Sequence, residues 1–360
     1  MEPTKLKQPA ELPPTTKLGD YLGLPSVERG AVYRRVLARM AGEDADEPEA
    51  TRIGRYEFIR RLGAGGMGVV YLVRDPDLDR KIALKMLHPR LRHADDADER
   101  RMRREARAMA RLDHDNVVRV HELGTHEGRL YLAMEYVEGT TLSGWLTGPQ
   151  RHWSEIVRVF CRAGAGLVAA HEAGLAHCDF KPDNVLLSDE GAVKVSDFGL
   201  VRVLGDTDEF QAARGMESTD ALPSITQSTT QSTIAGTPAY MAPEQLAGSR
   251  GDTRSDQFGF CVALYTALLG QPPFEGSTVA ELTRSMAAGL RAPQARRAEV
   301  PAEVLAALER GLEQRADDRW PSMSALIAQL EQELARPRRC RCPLRTMVTV
   351  LGLGVTARAA

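Results

Sequence analysis

Between Arg55 and Tyr136 the apolar positions come in short, partly alternating runs broken by Gly or Asp-Pro turns. Tyr56 to Leu62, Val69 to Val73 and Lys81 to Leu87 have the pattern of antiparallel strands. Val117 to Leu123 and Leu130 to Tyr136 predict two more. Ala97 to Leu112 is instead charged, with apolar residues at helical spacing. This stretch predicts a small sheet with one helix.

After Gly139 the period changes. Glu155 to Ala173 places Ile156, Val159, Phe160, Ala163, Leu167 and Ala170 on one helical face. Ser255 to Leu269 is apolar nearly all round, which predicts a buried helix. Residues 205 to 235 are dense in Ser, Thr and Gln, a polar loop long enough to be functional or mobile. Nothing repeats internally. The pattern predicts an α+β chain: a small antiparallel-sheet lobe with one helix over 55–138, and a larger, mainly helical lobe over 139–335. The cleft between them is the natural ligand site.

The flanks add little chemistry. Residues 1 to 25, rich in Pro, Thr and Lys, predict disorder. Val27 to Met40 predicts a short helix, and the acidic run Glu43 to Glu49 a linker, so that 1–50 reads as an N-terminal extension. No apolar core follows the first basic residues, so no signal peptide is expected. Residues 336–360 form a basic stretch followed by the apolar run Met347 to Val355. Its nine residues cannot span hydrocarbon about 30 Å thick, which takes roughly 20. A disordered or surface-docked tail is expected rather than a membrane anchor.

Composition narrows the class. The chain has 360 residues, 43% of them hydrophobic, enough to bury a substantial core. A net charge of -2 gives no global field favouring nucleic acid or membrane. Cysteines at 161, 178, 261, 340 and 342 make no disulfide framework and point to a reducing compartment, so a cytoplasmic location is expected. Cys340 and Cys342 lack the second pair or histidines that a zinc site needs.

The candidate chemistry lies along the lobe junction. Leu62, Gly63, Ala64, Gly65, Gly66, Met67 and Gly68 join two strands, with Val70 two residues beyond. Glycines let the backbone approach phosphate oxygens and offer unhindered N–H donors. Alone, such a run is equally a turn or a dinucleotide fingerprint; a strand follows it here, not a helix, which argues against the latter. Lys85, beside Ala83 on the next strand, is within reach of phosphates held by that hairpin; in isolation it would be a solvated lysine. Glu105, in the charged helix, is the candidate acid to fix it, or else an exposed helical glutamate.

His177-Cys-Asp-Phe-Lys-Pro-Asp-Asn184 is the strongest local signal. Asp179 can accept the proton of an attacking hydroxyl, and Lys181 can neutralise a transferred phosphoryl. Asn184 offers a neutral oxygen to Mg²⁺. Thirteen residues later, Asp197-Phe-Gly199 supplies a carboxylate for the same metal and a glycine that permits the turn aiming it.

These motifs in this order resemble the eukaryotic-type serine/threonine protein kinases of bacteria. The resemblance runs from about Arg55 to Leu330, roughly three-quarters of the chain. Gly54 to Tyr71 is similar to the opening of the bacterial members, and Gly236-Thr-Pro-Ala-Tyr-Met-Ala-Pro-Glu244 to the end of their activation segment. Asp256 to Gly259 resembles the start of their central helix. Arg319 resembles the arginine that pairs with the glutamate standing here as Glu244. The resemblance implies a bilobal kinase fold, ATP with Mg²⁺ or Mn²⁺, and protein substrates bearing Ser or Thr. It also implies autophosphorylation, and it admits a dimer through the N-lobe. Met134 would stand at the back of the adenine pocket, with Glu135 and Val137 offering backbone groups to adenine. Thr237 with Lys181 resembles the pair that separates Ser/Thr from Tyr kinases, and Leu200 leans toward serine acceptors.

One position departs from the family. Most members carry arginine where Cys178 stands, and that arginine gathers the phosphate of the activation loop. A thiol cannot do this, so activity is expected to depend little on loop phosphorylation. The thiol itself is expected to be buried and inert rather than redox-sensitive. Ser228, Thr229, Thr230, Ser232 and Thr233 are either autophosphorylation sites or ordinary loop residues. Two rivals to a protein kinase are a pseudokinase scaffold and a small-molecule phosphotransferase. The first would need a lost metal or base residue. The second would lack the long segment ending in Ala-Pro-Glu.

Overall fold

The computed structural model describes residues 52–65, 68–87, 108–198, 238–291 and 299–336. Arg52–Ile53 (β1), Tyr56–Gly65 (β2), Gly68–Asp75 (β3), Arg80–Leu87 (β4), Val120–His126 (β5) and Arg129–Glu135 (β6) form one sheet. Its order is β1-β2-β3-β4-β6-β5, and every pairing is antiparallel. The sheet curls on itself. The Tyr56 hydroxyl, near one edge, donates to Glu122 on the opposite edge strand at 2.9 Å, and Tyr131 donates to the same carboxylate at 2.9 Å. Ile53, Tyr56, Tyr71, Val73, Ile82 and Leu84 fill the inside of the curl.

The sequence pattern mislays one strand boundary. Val117 to Leu123 reads as one strand, but β5 begins at Val120. Val117 bridges Val195 in parallel, and the Val118 N–H donates to the Val195 carbonyl at 2.9 Å. The apolar run is divided between two sheets, so it stitches the lobes together. β1 was not visible in the pattern; its two residues pair through Ile53 and Tyr56.

Gly139–Thr141 (β7), Val185–Ser188 (β8) and Val193–Val195 (β9) make a second, antiparallel sheet at the mouth of the cleft. Around and below it lie Leu142–Leu146 (α1), Trp153–Glu172 (α2), Pro243–Leu246 (α3), Thr253–Leu269 (α4), Val279–Ala288 (α5), Ala302–Gly311 (α6) and Met323–Ala335 (α7). Helix α2 buries the face read from its spacing, including Ile156, Phe160, Ala163, Leu167 and Ala170. Helix α4 is buried nearly all round, as its composition requires. Asp252 caps its first turn, and Gly270 ends it at φ +73°. Phe160 and Phe260 meet edge to face at 5.6 Å, locking α2 to α4.

Of the helix expected over Ala97 to Leu112, residues 108–111 are helical and the earlier ones lie outside the described residues. The N-terminal extension, the Ser/Thr-rich loop, Cys340, Cys342 and the apolar tail also lie outside them. Among the described residues, no helix is long and apolar enough to cross a membrane.

Candidate active site

Each lobe contributes a wall. From the sheet, β2 delivers Leu62, Gly63, Ala64 and Gly65, β3 delivers Gly68 and Val70, and β4 delivers Ala83 and Lys85. Gly66 and Met67, at the hairpin tip, and Glu105 lie outside the described residues. Ala83 and Met134 are cross-strand partners and pack with Val118 into a small apolar cluster. Val70, Tyr136, Val137 and Leu186 lean on that cluster from both sides. The result is a flat apolar seat between the lobes. The Glu135 N–H is already given to the Arg119 carbonyl at 2.9 Å. Its carboxylate pairs with Lys194 of β9 at 3.1 Å.

The opposite wall is a loop. Lys181 Nζ stands 2.8 Å from the Asp179 carboxylate. Asn184, in the 3-10 turn Pro182–Asn184, donates Nδ2 to the Asp179 carbonyl at 2.9 Å and toward its carboxylate at 3.3 Å. The Asn184 carbonyl accepts both the N–H and the hydroxyl of Ser196, at 2.8 and 3.1 Å. The next residue is Asp197, whose carboxylate pairs with buried Lys85 at 2.9 Å. Lys85, Asp179, Lys181, Asn184 and Asp197 are thus joined by one continuous chain of contacts crossing the cleft.

Beneath them, Phe198 is buried against the His177 ring, 4.8 Å between centroids. Cys178 and Asp197 both hold φ +60°, a left-handed backbone that non-glycine residues adopt under constraint. The constraint at Cys178 is Asp256. Its Oδ2 accepts the His177 N–H at 2.7 Å and its Oδ1 the Cys178 N–H at 2.5 Å. His171 sits against the same carboxylate at 2.8 Å. The Cys178 residue is half-buried, not fully buried as expected.

Residues 56–334 match the family model described as the protein kinase domain. The chain belongs to the protein kinase domain family. Within it, the likeness is to bacterial serine/threonine members. The kinase PrkC of Bacillus subtilis is 34% identical over 232 residues, 64% of this chain and 32% of that protein. PknJ of Mycobacterium tuberculosis is 41% identical over 224 residues, 61% of this chain and 34% of that one. The chain therefore spans about a third of the length of these curated relatives. The solved Mycobacterium tuberculosis PknI kinase domain superposes with a TM-score of 0.59 at 27% identity, covering 80% of this chain and all of that one.

Against this kinase fold the remaining expectations can be placed. Arg319 and Glu244 do pair: Arg319 donates from both terminal nitrogens to the two carboxylate oxygens at 2.8 and 2.9 Å. Its other N–H groups go to the carbonyls of Glu313, Arg254 and Gln314. Gly199, Leu200, Gly236 and Thr237 lie outside the described residues, as does the Ser/Thr-rich loop. Sequence reasoning missed Leu186, Gln245 and the clamping role of Asp256. Asp256 had only a weak signal: it is an acid in the first turn of a helix that is apolar from Phe258 onward, and buried there it demands donors.

The donor set suits a hard cation. Asn184 commits its nitrogen to Asp179, which leaves its oxygen, and Asp197 adds a carboxylate. Among the described residues no group of three or more His, Cys, Asp or Glu gathers around a metal. A magnesium site completed by substrate phosphate needs none. The hairpin suits phosphates. A Cβ at Gly63 or Gly65 would meet nothing within 4 Å, so protein packing gives no reason for glycine at either place.

Proposed function

We propose that this domain transfers the γ-phosphoryl of ATP to serine and threonine hydroxyls of proteins, its own included, in bacterial signalling. The observation that carries the reading is the chain of contacts from Lys85 to Asp197, on through the adjoining Ser196 to Asn184, and from there through Asp179 to Lys181. In this reading the seat of Val70, Ala83, Met134, Val137 and Leu186 receives adenine, and Lys85 neutralises phosphate oxygens. Asp197 and Asn184 hold magnesium or manganese, which when bound offsets phosphate charge. Asp179 orients the acceptor hydroxyl and takes its proton. Lys181 offsets charge on the transferred group. Catalysis comes from positioning and charge neutralisation.

The reaction belongs where ATP and reduced thiols coexist, which is the cytoplasm. Pairing of two copies through the N-lobe belongs to the same reading, since Ile59 and Leu78 stand exposed there. The deciding assay follows radiolabelled γ-phosphate into a generic protein acceptor. Asp179→Asn should reduce transfer about a thousandfold. Undiminished transfer by that variant, or label passing only to small molecules, would sink the reading.

A further inference from the structure

Cys178 precedes Asp179 and carries a strained, left-handed backbone, so something must hold it there. Asp256 takes its N–H. Its carbonyl is held from the other side: Gln245 Nε2 donates to it at 3.0 Å. Gln245 is 3% exposed, and its Oε1 accepts the Ala242 N–H at 3.0 Å. The two backbone partners fix which way the amide faces, because an N–H needs the oxygen and a carbonyl needs the nitrogen. Gly251 closes the rear: a Cβ there would lie 2.6 Å from Gln245 Nε2. One neutral side chain therefore spans from the catalytic loop to the residue that opens α3.

We infer that Gln245 is a positioning residue for phosphoryl transfer, holding Asp179 in register by tying the Cys178 carbonyl to the Ala242–Glu244 segment. The link between the two segments runs through the Cys178 backbone carbonyl, which any side chain at 178 would present. Gln245 reaches no reacting atom; it acts through the peptide unit next to Asp179. This inference rests on the kinase reading above.

Two near-isosteric variants isolate the amide. Gln245→Glu keeps the acceptor for Ala242 but faces the Cys178 carbonyl with an oxygen. Gln245→Met keeps the bulk and loses both bonds. In each, kcat should fall roughly ten- to a hundredfold while the KM for ATP stays within about twofold. Gln245→Asn, one methylene shorter, should show the same split at smaller size and serves if the others fail to fold. Should the wild-type chain transfer no phosphate, the kinase reading fails first. If the wild-type chain turns over and the variants keep kcat, the inference is overturned. It is equally overturned if kcat, ATP affinity and melting temperature decline together. Loss of wild-type turnover on dephosphorylation would overturn it too, since the coupling would then run through the loop.

Discussion

The glycine hairpin and the catalytic loop face each other across one cleft and are held in opposite ways. Ala64 and Gly65 are exposed, and space is open above Gly63 and Gly65. The catalytic loop is fastened at one backbone atom after another. The N–H groups of His177 and Cys178 go to Asp256, the Cys178 carbonyl to Gln245, the Asp179 N–H to the His177 ring, and the Asn184 carbonyl to Ser196. Two of the fastening side chains, Gln245 and Asp256, come from α3 and α4, the second being the most buried helix of the large lobe. In the proposed reaction, the side that would admit and release a nucleotide is left room to move. The side that must hold a carboxylate to within a fraction of an ångström is over-determined.

The hardest test of that contrast is Asp256→Ala. It leaves the buried His177 N–H and the half-buried Cys178 N–H without an acceptor, at about 1–3 kcal/mol each, and frees the strained Cys178. Stability should drop by about 4 kcal/mol, and turnover at least a hundredfold. ATP affinity, measured by calorimetry on the folded variant, should change far less, because Lys85 and most of the apolar seat belong to the other wall. If affinity and turnover fall by equal factors, the two walls are not separately built.

A smaller contrast lies within the hairpin itself. Gly68 has φ +153°, and a Cβ there would stand 2.1 Å from the Met86 carbonyl oxygen of the neighbouring strand. Gly68→Ala should therefore cost about 2–3 kcal/mol of stability by denaturant titration. Gly65→Ala, with open space around its Cβ, should shift stability by less than about 0.5 kcal/mol. Its effect should appear as a raised KM for ATP. Equal destabilisation by both would mean that the open side is held by packing after all.

What could be read in advance follows from where the information sits. The glycine hairpin, Lys85, Asp179, Asn184 and Asp197 are local motifs whose residue types the chemistry itself dictates. Strands β2 to β4 and helices α2 and α4 announced themselves through period or uniform apolarity. The clamps did not. Gln245 touches Cys178 from 67 positions away and Asp256 from 78, and nothing along the chain marks such pairs. Val117 and Val118 read as the start of a strand because their apolarity fits either sheet. Only the Val195 contact decides between them. The helices α5, α6 and α7 are shorter, and their register emerges only once the rest of the large lobe gives them a surface to cover.

The same distance hides a pH effect. Glu244, next to Gln245, receives two bonds from Arg319 and one from the Ser255 hydroxyl at 2.7 Å. Burial alone would push its carboxyl up, but the Arg319 and Ser255 hydrogen bonds outweigh it and hold the carboxyl below the usual value. The unfolded chain then binds the proton more readily than the folded one, so stability rises with pH across that interval. The contribution is complete above the ordinary value of 4.5 and is lost as pH falls through the lower folded value. On acidification below about pH 4.5 the melting temperature of the wild-type chain should decline more steeply than that of Glu244→Gln, which has no proton to take up there. The catalytic side would then be the acid-labile one, since Glu244 and Gln245 share the short helix that grips the loop. Parallel curves for the two chains would show that this grip draws nothing from the ionised pair, and that Asp256 and Gln245 hold the loop without it.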